Sequence, residues 1–253
     1  MKNRWKWVVA SAMLVLSISV GSAETAPNLT GLIEAFKTGS HDEIVSHLVF
    51  PIQRRYPLSM IENAKFALDH FDEIFDSVLM ARIANSTAVD WQQVGWRGWC
   101  LGAGDVWVTM QGQISAINYQ TKQEAGEWQR LVDIERESLP ADLRTFDFPI
   151  SLWKTKNYVV RVDDVAGKAR LAVWKIGDQT KPEIVLQAAA MANYGTIGTY
   201  TLEWEDGDLV YRVEENQAVE GKAPSFQIFK KDDLESNREA APWVSEMSVP
   251  LVP

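Results

Sequence analysis

The sequence contains few of the residues that most often bind metal ions or form covalent cross-links. Cys100 is the only cysteine, so the chain can form neither an internal disulfide nor a zinc site made of several cysteines. All three histidines lie in the first 70 residues. His41 and His47 are six positions apart, which is not the four-residue spacing of a helical metal pair, and His70 stands alone. We therefore expect no bound metal and no cofactor.

The motifs of nucleophilic catalysis and of phosphate binding are also missing. The chain has no G-x-S-x-G motif, which is the usual setting of a hydrolase serine. Gly98, Gly102 and Gly104 belong to neither a dinucleotide-binding nor a P-loop pattern, and they predict bulges or tight turns instead. Cys100 lies between two large apolar residues and is predicted to be a small buried side chain.

Positive charge is the scarcer sign in this chain. There are 25 Lys and Arg residues against 34 Asp and Glu residues, which gives a net charge of −9. An acidic surface repels nucleic acids and anionic membranes, so we expect neither as a partner. A basic protein partner is compatible with this charge.

The first 23 residues have the composition of a secretory signal peptide. Lys2, Arg4 and Lys6 precede an apolar segment at residues 8–20, which is too short to span a bilayer comfortably. Small residues at 21–23 offer a cleavage site after Ala23. We expect a periplasmic or secreted protein without membrane insertion after cleavage; an uncleaved membrane anchor is the alternative. Removing the three cations from the 25 leaves 22 against 34 carboxylates, a mature net charge of −12.

The mature chain has enough apolar residues to build a core without disulfides, since they make up 46% of the sequence. Helical periodicity dominates up to Pro140, and short alternating runs follow. We predict an α+β fold. Residues 24–140 are expected to form a helix-backed, curved antiparallel sheet of cone-like shape. Residues 141–231 are expected to form a mainly antiparallel β meander, closed as a small barrel or sandwich, and residues 232–253 a loosely ordered tail.

Three capping boxes predict helix starts, at Ser40, Ser59 and Thr121. The helix after Ser59 is predicted to break near residues 76–77 and to bury one apolar stripe. The stripe consists of Ala64, Leu68, Phe71, Phe75 and Val78. The helix after Thr121 is predicted to end before Pro140. Its predicted buried residues are Trp128, Leu131, Val132 and Ile134.

Several segments have the alternating pattern of β-strands. Residues 105–110 and 113–119 predict a hairpin that turns at Gln111 and Gly112. Further strands are predicted at residues 158–162, 170–176, 183–191, 199–204, 209–213 and 225–230. Asp163 and Asp164 are predicted to lie in a turn between the first two of these strands.

Four short segments between residues 50 and 119 match a known pattern. They read YPL at 56–58, FDEIF at 71–75, GAGDVW at 102–107 and AIN at 116–118. With this succession, residues 50–119 resemble the core of exported bacterial proteins of the nuclear-transport-factor-2-like superfamily. The resemblance implies helices packed on a curved sheet, whose concave side often holds a small molecule. It implies no particular activity, because a fold of this kind can carry many functions.

Tryptophan is concentrated around the hairpin. Trp91, Trp96, Trp99 and Trp107 fall within 17 residues. Aromatic rings with one cation and one carboxylate are typical of a site for a sugar or another amphipathic molecule. We therefore predict a binding pocket formed by Tyr56, Trp96, Arg97, Trp99, Asp105, Trp107 and Tyr119. The alternative is that the tryptophans fill the core while Arg97 pairs with Asp105 or Asp90.

Three functions are compatible with these observations. The absence of catalytic motifs favours a non-catalytic exported module that binds a small molecule, a glycan or a protein partner. The alternative is a cofactor-independent hydrolase or isomerase that uses a buried Asp with Arg97 or a Tyr. The third is an interaction protein that acts through the acidic β-rich second half.

The N-terminal segment gives a direct prediction. When the full chain is expressed in a bacterium, we expect the purified protein to begin at Glu24, as determined by N-terminal sequencing and intact mass. Ala23→Tyr removes the small residue before the cleavage site, so this variant is expected to keep the first 23 residues. A native chain that still begins at Met1 would contradict the prediction.

Overall fold

The computed structural model describes residues 26–95, 98–177, 180–187, 199–216, 223–236, 242 and 244–247. Within these ranges the chain combines α-helices with three antiparallel four-stranded sheets. The predicted α+β class is therefore confirmed. None of the described helices has the length and apolar content required to cross a membrane.

Within the described residues, five short α-helices precede the first sheet. They are α1 (Thr30–Thr38), α2 (His41–Ser46), α3 (Ala64–Asp69), α4 (Phe71–Ile74) and α5 (Ser77–Ala84). The strands follow in spatial order as β1 (Trp91–Gln93), β2 (Trp99–Leu101), β3 (Val106–Val108) and β4 (Ile114–Ile117). Strands β3 and β4 form the predicted hairpin, because Val106 pairs with Ile117 in an antiparallel register. The helices and this sheet share one hydrophobic core.

Two of the three predicted helix starts are confirmed. Ser40 and Thr121 each accept a hydrogen bond from the backbone N–H three residues later. The start predicted at Ser59 is wrong, since α3 begins after Asn63, whose side chain caps it. The physical reason is that Ile61 is buried in extended chain, where it forms a β-bridge.

The predicted break at residues 76–77 is confirmed, because Asp76 caps α5 by accepting hydrogen bonds from the amides of Val78 and Leu79. The new helix start changes which side chains face the core. Leu79 is buried, whereas Val78 is 60% exposed. Leu68 and Ala64 are exposed as well, so the predicted stripe is wrong at these three residues and confirmed at Phe71 and Phe75.

The prediction that Ile134 is buried is also wrong, because its side chain is 51% exposed. Ile134 lies on the opposite side of its helix from buried Val132.

A long helix, α6 (Lys122–Ser138), leads to two further sheets. The first contains β5 (Phe148–Lys154), β6 (Tyr158–Val165), β7 (Lys168–Lys175) and β8 (Ile184–Gln187). The second, in spatial order, contains β12 (Val244–Met247), β11 (Ser225–Lys230), β10 (Leu209–Asn216) and β9 (Thr199–Asp206). A short helix, α7 (Lys231–Ser236), follows β11.

Two predictions for this half differ from the structure, and a third lies partly outside the described residues. Asp163 and Asp164 lie in β6, because the chain turns later, at Ala166 and Gly167. Strand β8 ends at Gln187 in the described part, and the predicted residues 188–191 lie outside it. Residues 244–247 pair with β11, so this piece of the predicted loose tail is a strand.

The two later sheets share a hydrophobic cluster between them. Val160 and Leu171 contribute from one sheet, and Leu202 from the other. Trp204 links the sheets by donating its indole N–H to the carbonyl oxygen of Ala169 at 2.9 Å. The other side of β6 and β7 packs against α6. Both strands are therefore covered on both faces, which explains their continuous runs of buried residues.

The shared cluster predicts a large cost for shortening Leu171, which is fully buried. Leu171→Ala is expected to lower the free energy of unfolding by about 2–5 kcal/mol, because it leaves a cavity between the sheets. Urea denaturation followed by circular dichroism measures this change. Val185→Ala, at a half-exposed position on β8, is the control and is expected to change stability by less than about 0.5 kcal/mol. Equal losses would contradict the shared core.

Candidate functional site

The structure separates the tryptophans of the predicted pocket. Trp96 and Arg97 lie outside the described residues. Trp99 packs against the first core. Trp107 is paired with the residue next to Trp99, so the two rings lie on opposite faces of the sheet. The Trp107 indole donates to the carbonyl oxygen of Gly104 at 3.0 Å. Trp99 and Trp107 therefore do not line one pocket.

Asp105 and Tyr119 are brought together, with two partners that the sequence did not reveal. Asp105 forms an ion pair with Arg82 of α5, 2.5 Å between Nη1 and Oδ2. The Tyr119 amide donates to the Asp105 carbonyl oxygen at 3.0 Å, and its hydroxyl donates to Asp76 at 3.1 Å. Burial raises the pKa of Tyr119, and the hydrogen bond to Asp76 raises it further. One alternative from the sequence was that Arg97 pairs with Asp105 or Asp90. Among the described residues, Arg82 is the arginine that pairs with Asp105.

Gly102 allows this ion pair to lie against the hairpin. Its φ of +67° is in the left-handed region, which favours glycine. A Cβ atom at this position would lie 2.4 Å from Arg82 Nη2 and 2.7 Å from Asp105 Oδ2. Any side chain would therefore strain the backbone and displace the guanidinium. The sequence predicted this glycine only as a turn residue, yet it determines the position of two charges.

A groove with a volume of about 700 Å³ lies beside the ion pair, between α5 and β2. Its lining consists of Val78, Ala81, Arg82, Asn85, Ser86, Asp90, Leu101 and Gly102. Hydrogen bonds from the Thr87 amide and hydroxyl lower the pKa of Asp90, so its carboxylate is ionised at neutral pH. The groove therefore combines apolar side chains with one cation, one carboxylate, one amide and one hydroxyl. It has the cation and the carboxylate that were predicted for the pocket, but none of its lining residues is aromatic.

Tyr56 belongs to another part of the molecule. Its carbonyl oxygen accepts a hydrogen bond from the Trp128 indole of α6 at 2.8 Å, and its hydroxyl donates to Glu135 of the same helix. Burial raises the pKa of Tyr56, and the neighbouring Glu135 carboxylate raises it further. Tyr56 therefore contributes to the packing of α6, and neither of these contacts involves the hairpin.

Glu135 is the first member of a buried charge network between α6 and the sheet β5–β8. Arg161 donates from Nη1 to Glu135 and from Nε to Asp163, both at 2.8 Å. Arg170 donates to the second oxygen of Asp163, also at 2.8 Å. Burial lowers the pKa of Arg161, but attraction to Asp163 and Glu135 outweighs it, so the net shift is upward. Two cations and two carboxylates balance, which makes the network neutral.

The sequence did contain a signal for this network. Arg161 and Asp163 are two positions apart in β6. Asp163 is directly opposite Arg170 of the neighbouring strand β7. All three side chains therefore lie on the same face of the sheet. The prediction of a turn at Asp163 concealed this alternation, because a turn residue has no defined face.

The shielded hydroxyl of Tyr56 predicts a pH-dependent stability. In the unfolded chain Tyr56 ionises near pH 10, whereas the folded chain keeps the proton at higher pH. Stability is therefore lost as pH rises above 10, by up to about 1.4 kcal/mol for each pH unit. Urea denaturation at several pH values between 8 and 11 is expected to show this loss in the native chain and a smaller one in Tyr56→Phe. Parallel losses in both proteins would contradict the burial of the hydroxyl.

No group of three His, Cys, Asp or Glu side chains suited to a metal ion occurs in the described parts of the chain. The groove and the charge network are two places in the described residues where polar side chains converge with defined partners. No protein-family model, curated protein or solved structure matches this chain.

Proposed function

We propose that this chain is an exported, non-catalytic module that binds a small hydroxyl-bearing molecule, such as a glycan fragment, in the groove between α5 and β2. The observation that carries the proposal is the groove itself. Its volume of about 700 Å³ lies within the range of small-molecule sites, about 300–1,000 Å³.

The lining of the groove matches the two kinds of surface that a sugar presents. Val78, Ala81 and Leu101 provide apolar contact for the C–H faces of a ring. Arg82 provides donors, and Asn85 provides a donor and an acceptor, for the hydroxyl groups of a sugar. The ion pair with Asp105 holds the guanidinium in place, so less conformational freedom is lost when a ligand binds.

The same proposal includes the origin and architecture of the chain. Residues 1–23 act as a cleaved signal peptide, and the mature protein is periplasmic or secreted. The helices α1–α5 and the sheet β1–β4 form a cone-like unit of the nuclear-transport-factor-2-like kind. The sheets β5–β8 and β9–β12 form a sandwich, an arrangement supported by their shared hydrophobic cluster.

The enzyme alternative has less support. A hydrolase or isomerase of the predicted type needs a buried Asp that is free to exchange a proton. Asp163 is 0% exposed, but both of its carboxylate oxygens accept hydrogen bonds from arginines. Both oxygens are therefore occupied by buried partners, and neither is free to contact a substrate.

A single substitution on α5 tests the groove. Ala81 is exposed and lines it, so Ala81→Arg is expected to fill the space without disturbing the core. The probes are a panel of soluble mono- and disaccharides and p-nitrophenyl glycosides, with binding detected by saturation-transfer NMR. We expect at least one probe to bind the native chain and Ala81→Arg to weaken that binding at least about tenfold, because charge and volume enter the site.

Ala88→Arg is the matched control, since it makes the same change at an exposed residue outside the lining. It is expected to bind the probes like the native chain. Failure of every probe, or equal binding by both variants, would overturn the proposal. Release of p-nitrophenol by the native chain, lost in Ala81→Arg, would favour the hydrolase alternative.

A further inference from the structure

Asp90 brings an unpaired negative charge to the groove between α5 and β2. Its side chain is exposed and belongs to the groove lining, directly before β1. The Thr87 amide and hydroxyl both donate to Oδ2, at 2.7 and 2.8 Å. Oδ1 has no hydrogen-bond or ion-pair partner among the described residues. One carboxylate oxygen in the lining is therefore available to a ligand.

The ionisation of Asp90 determines which groups this oxygen can bind. The hydrogen bonds from the Thr87 amide and hydroxyl favour the charged form and hold the pKa of Asp90 below its usual range. An ionised carboxylate has acceptor oxygens and no donor. A group that binds Oδ1 must therefore donate a hydrogen bond, and a positively charged donor forms a stronger one than a neutral hydroxyl.

Arg82, the cation of the lining, does not balance the charge of Asp90. Its guanidinium forms an ion pair with Asp105, 2.5 Å between Nη1 and Oδ2. Asp76 adds a further carboxylate at the start of α5, two residues before Val78 of the lining. Its described hydrogen bonds come from neutral groups, two backbone amides and one tyrosine hydroxyl. Among the described residues, three carboxylates against one guanidinium give the groove and its rim a formal net charge of −2.

We propose that the groove binds an amino sugar, a hydroxyl-bearing ligand with one protonated primary amine. This ligand class rests on the proposed function, because it concerns the same groove. The ammonium group donates to Oδ1 of Asp90, and the sugar hydroxyls bond to Arg82 and Asn85. An acidic sugar is disfavoured, because its carboxylate meets the excess negative charge without gaining a free cation.

Methyl glycosides that differ in charge test this proposal. The probes are the methyl glycosides of glucosamine, galactosamine and mannosamine at about pH 6, where the amine is protonated, each with its neutral parent sugar. Dissociation constants for the purified chain are measured from the ligand signals by saturation-transfer NMR. We expect at least one amino sugar to bind about two- to fivefold more tightly than its parent, the range of an exposed ion pair. Methyl glucuronide is expected to bind more weakly than methyl glucoside.

Two variants identify the source of this preference. Asp90→Asn removes the charge and keeps a carbonyl oxygen that can accept from Thr87, so amino sugars and their parents are expected to bind equally. Asp142→Asn makes the same change at an exposed carboxylate outside the lining and is expected to keep the preference. It controls for the net charge of −9 on the whole chain, which attracts any cation.

Salt provides a second test that needs no variant, should Asp90→Asn fail to fold. In about 1 M NaCl the Debye length falls to about 3 Å, so the native chain is expected to lose most of its preference for the amino sugar. Retention of the full preference at this salt concentration would overturn the proposal.

The failure of this proposal differs from the failure of the groove itself. Equal binding of amino sugars and their parents by the native chain would overturn the amino-sugar proposal and leave the groove as a sugar site. Failure of every sugar to bind would overturn both. A preference that persists in Asp90→Asn, or that Asp142→Asn also loses, would assign the attraction to the overall charge and overturn the role of Asp90.

Discussion

A fully buried carboxylate is the constraint on which the second half of the molecule depends. Asp163 lies in the middle of β6 and accepts hydrogen bonds from Arg161 and Arg170. Removing one partner of such a buried ion pair costs about 3–5 kcal/mol, because the remaining charge is left in a medium of low polarity. The directly opposed positions of Asp163 and Arg170 also determine the strand register, since a slip of one residue would move them to opposite faces.

Three consecutive residues, 54–56, connect the first helices to α6 and to the sheet β5–β8. Arg54 forms ion pairs with the largely buried Glu73 and Glu124. Burial raises the pKa of Glu124, although Arg54 opposes this shift. Arg55 lies over the rings of Trp128 and Phe148, and Tyr56 reaches Glu135. Helix α6 therefore contacts both parts of the chain. Across residue 140 the two parts are joined by the contact of Arg55 with Phe148 and by the ion pair of Glu135 with Arg161.

Local rules predicted much of this structure from the sequence. The α+β class, the hairpin and the helix starts at Ser40 and Thr121 depend on residues that are close in the chain. The predictions failed where a distant partner decides the outcome. The helix start predicted at Ser59 was wrong because Ile61 forms a β-bridge with Ile52. Tyr56 lies against α6 because Glu135, 79 residues away, accepts a hydrogen bond from its hydroxyl.

The candidate site illustrates the same limit. Asp105 and Tyr119 are close in the hairpin, so the sequence could group them. Arg82, which pairs with Asp105, comes from a helix whose orientation depends on the break at Asp76 and on the packing of α5 against the sheet. Residue type and spacing indicated the chemistry of a site, but they could not identify which arginine would supply the cation.

The burial of β6 and β7 on both faces has a consequence for how this protein unfolds. Neither strand has a side that faces water, because α6 covers one face and the sheet β9–β12 covers the other. Their amide hydrogens can reach solvent only when a whole layer detaches, so local fraying contributes little to their exchange. These two strands therefore report the cooperative unfolding of the entire second half, whereas the edge strands β8 and β12 report only local motion.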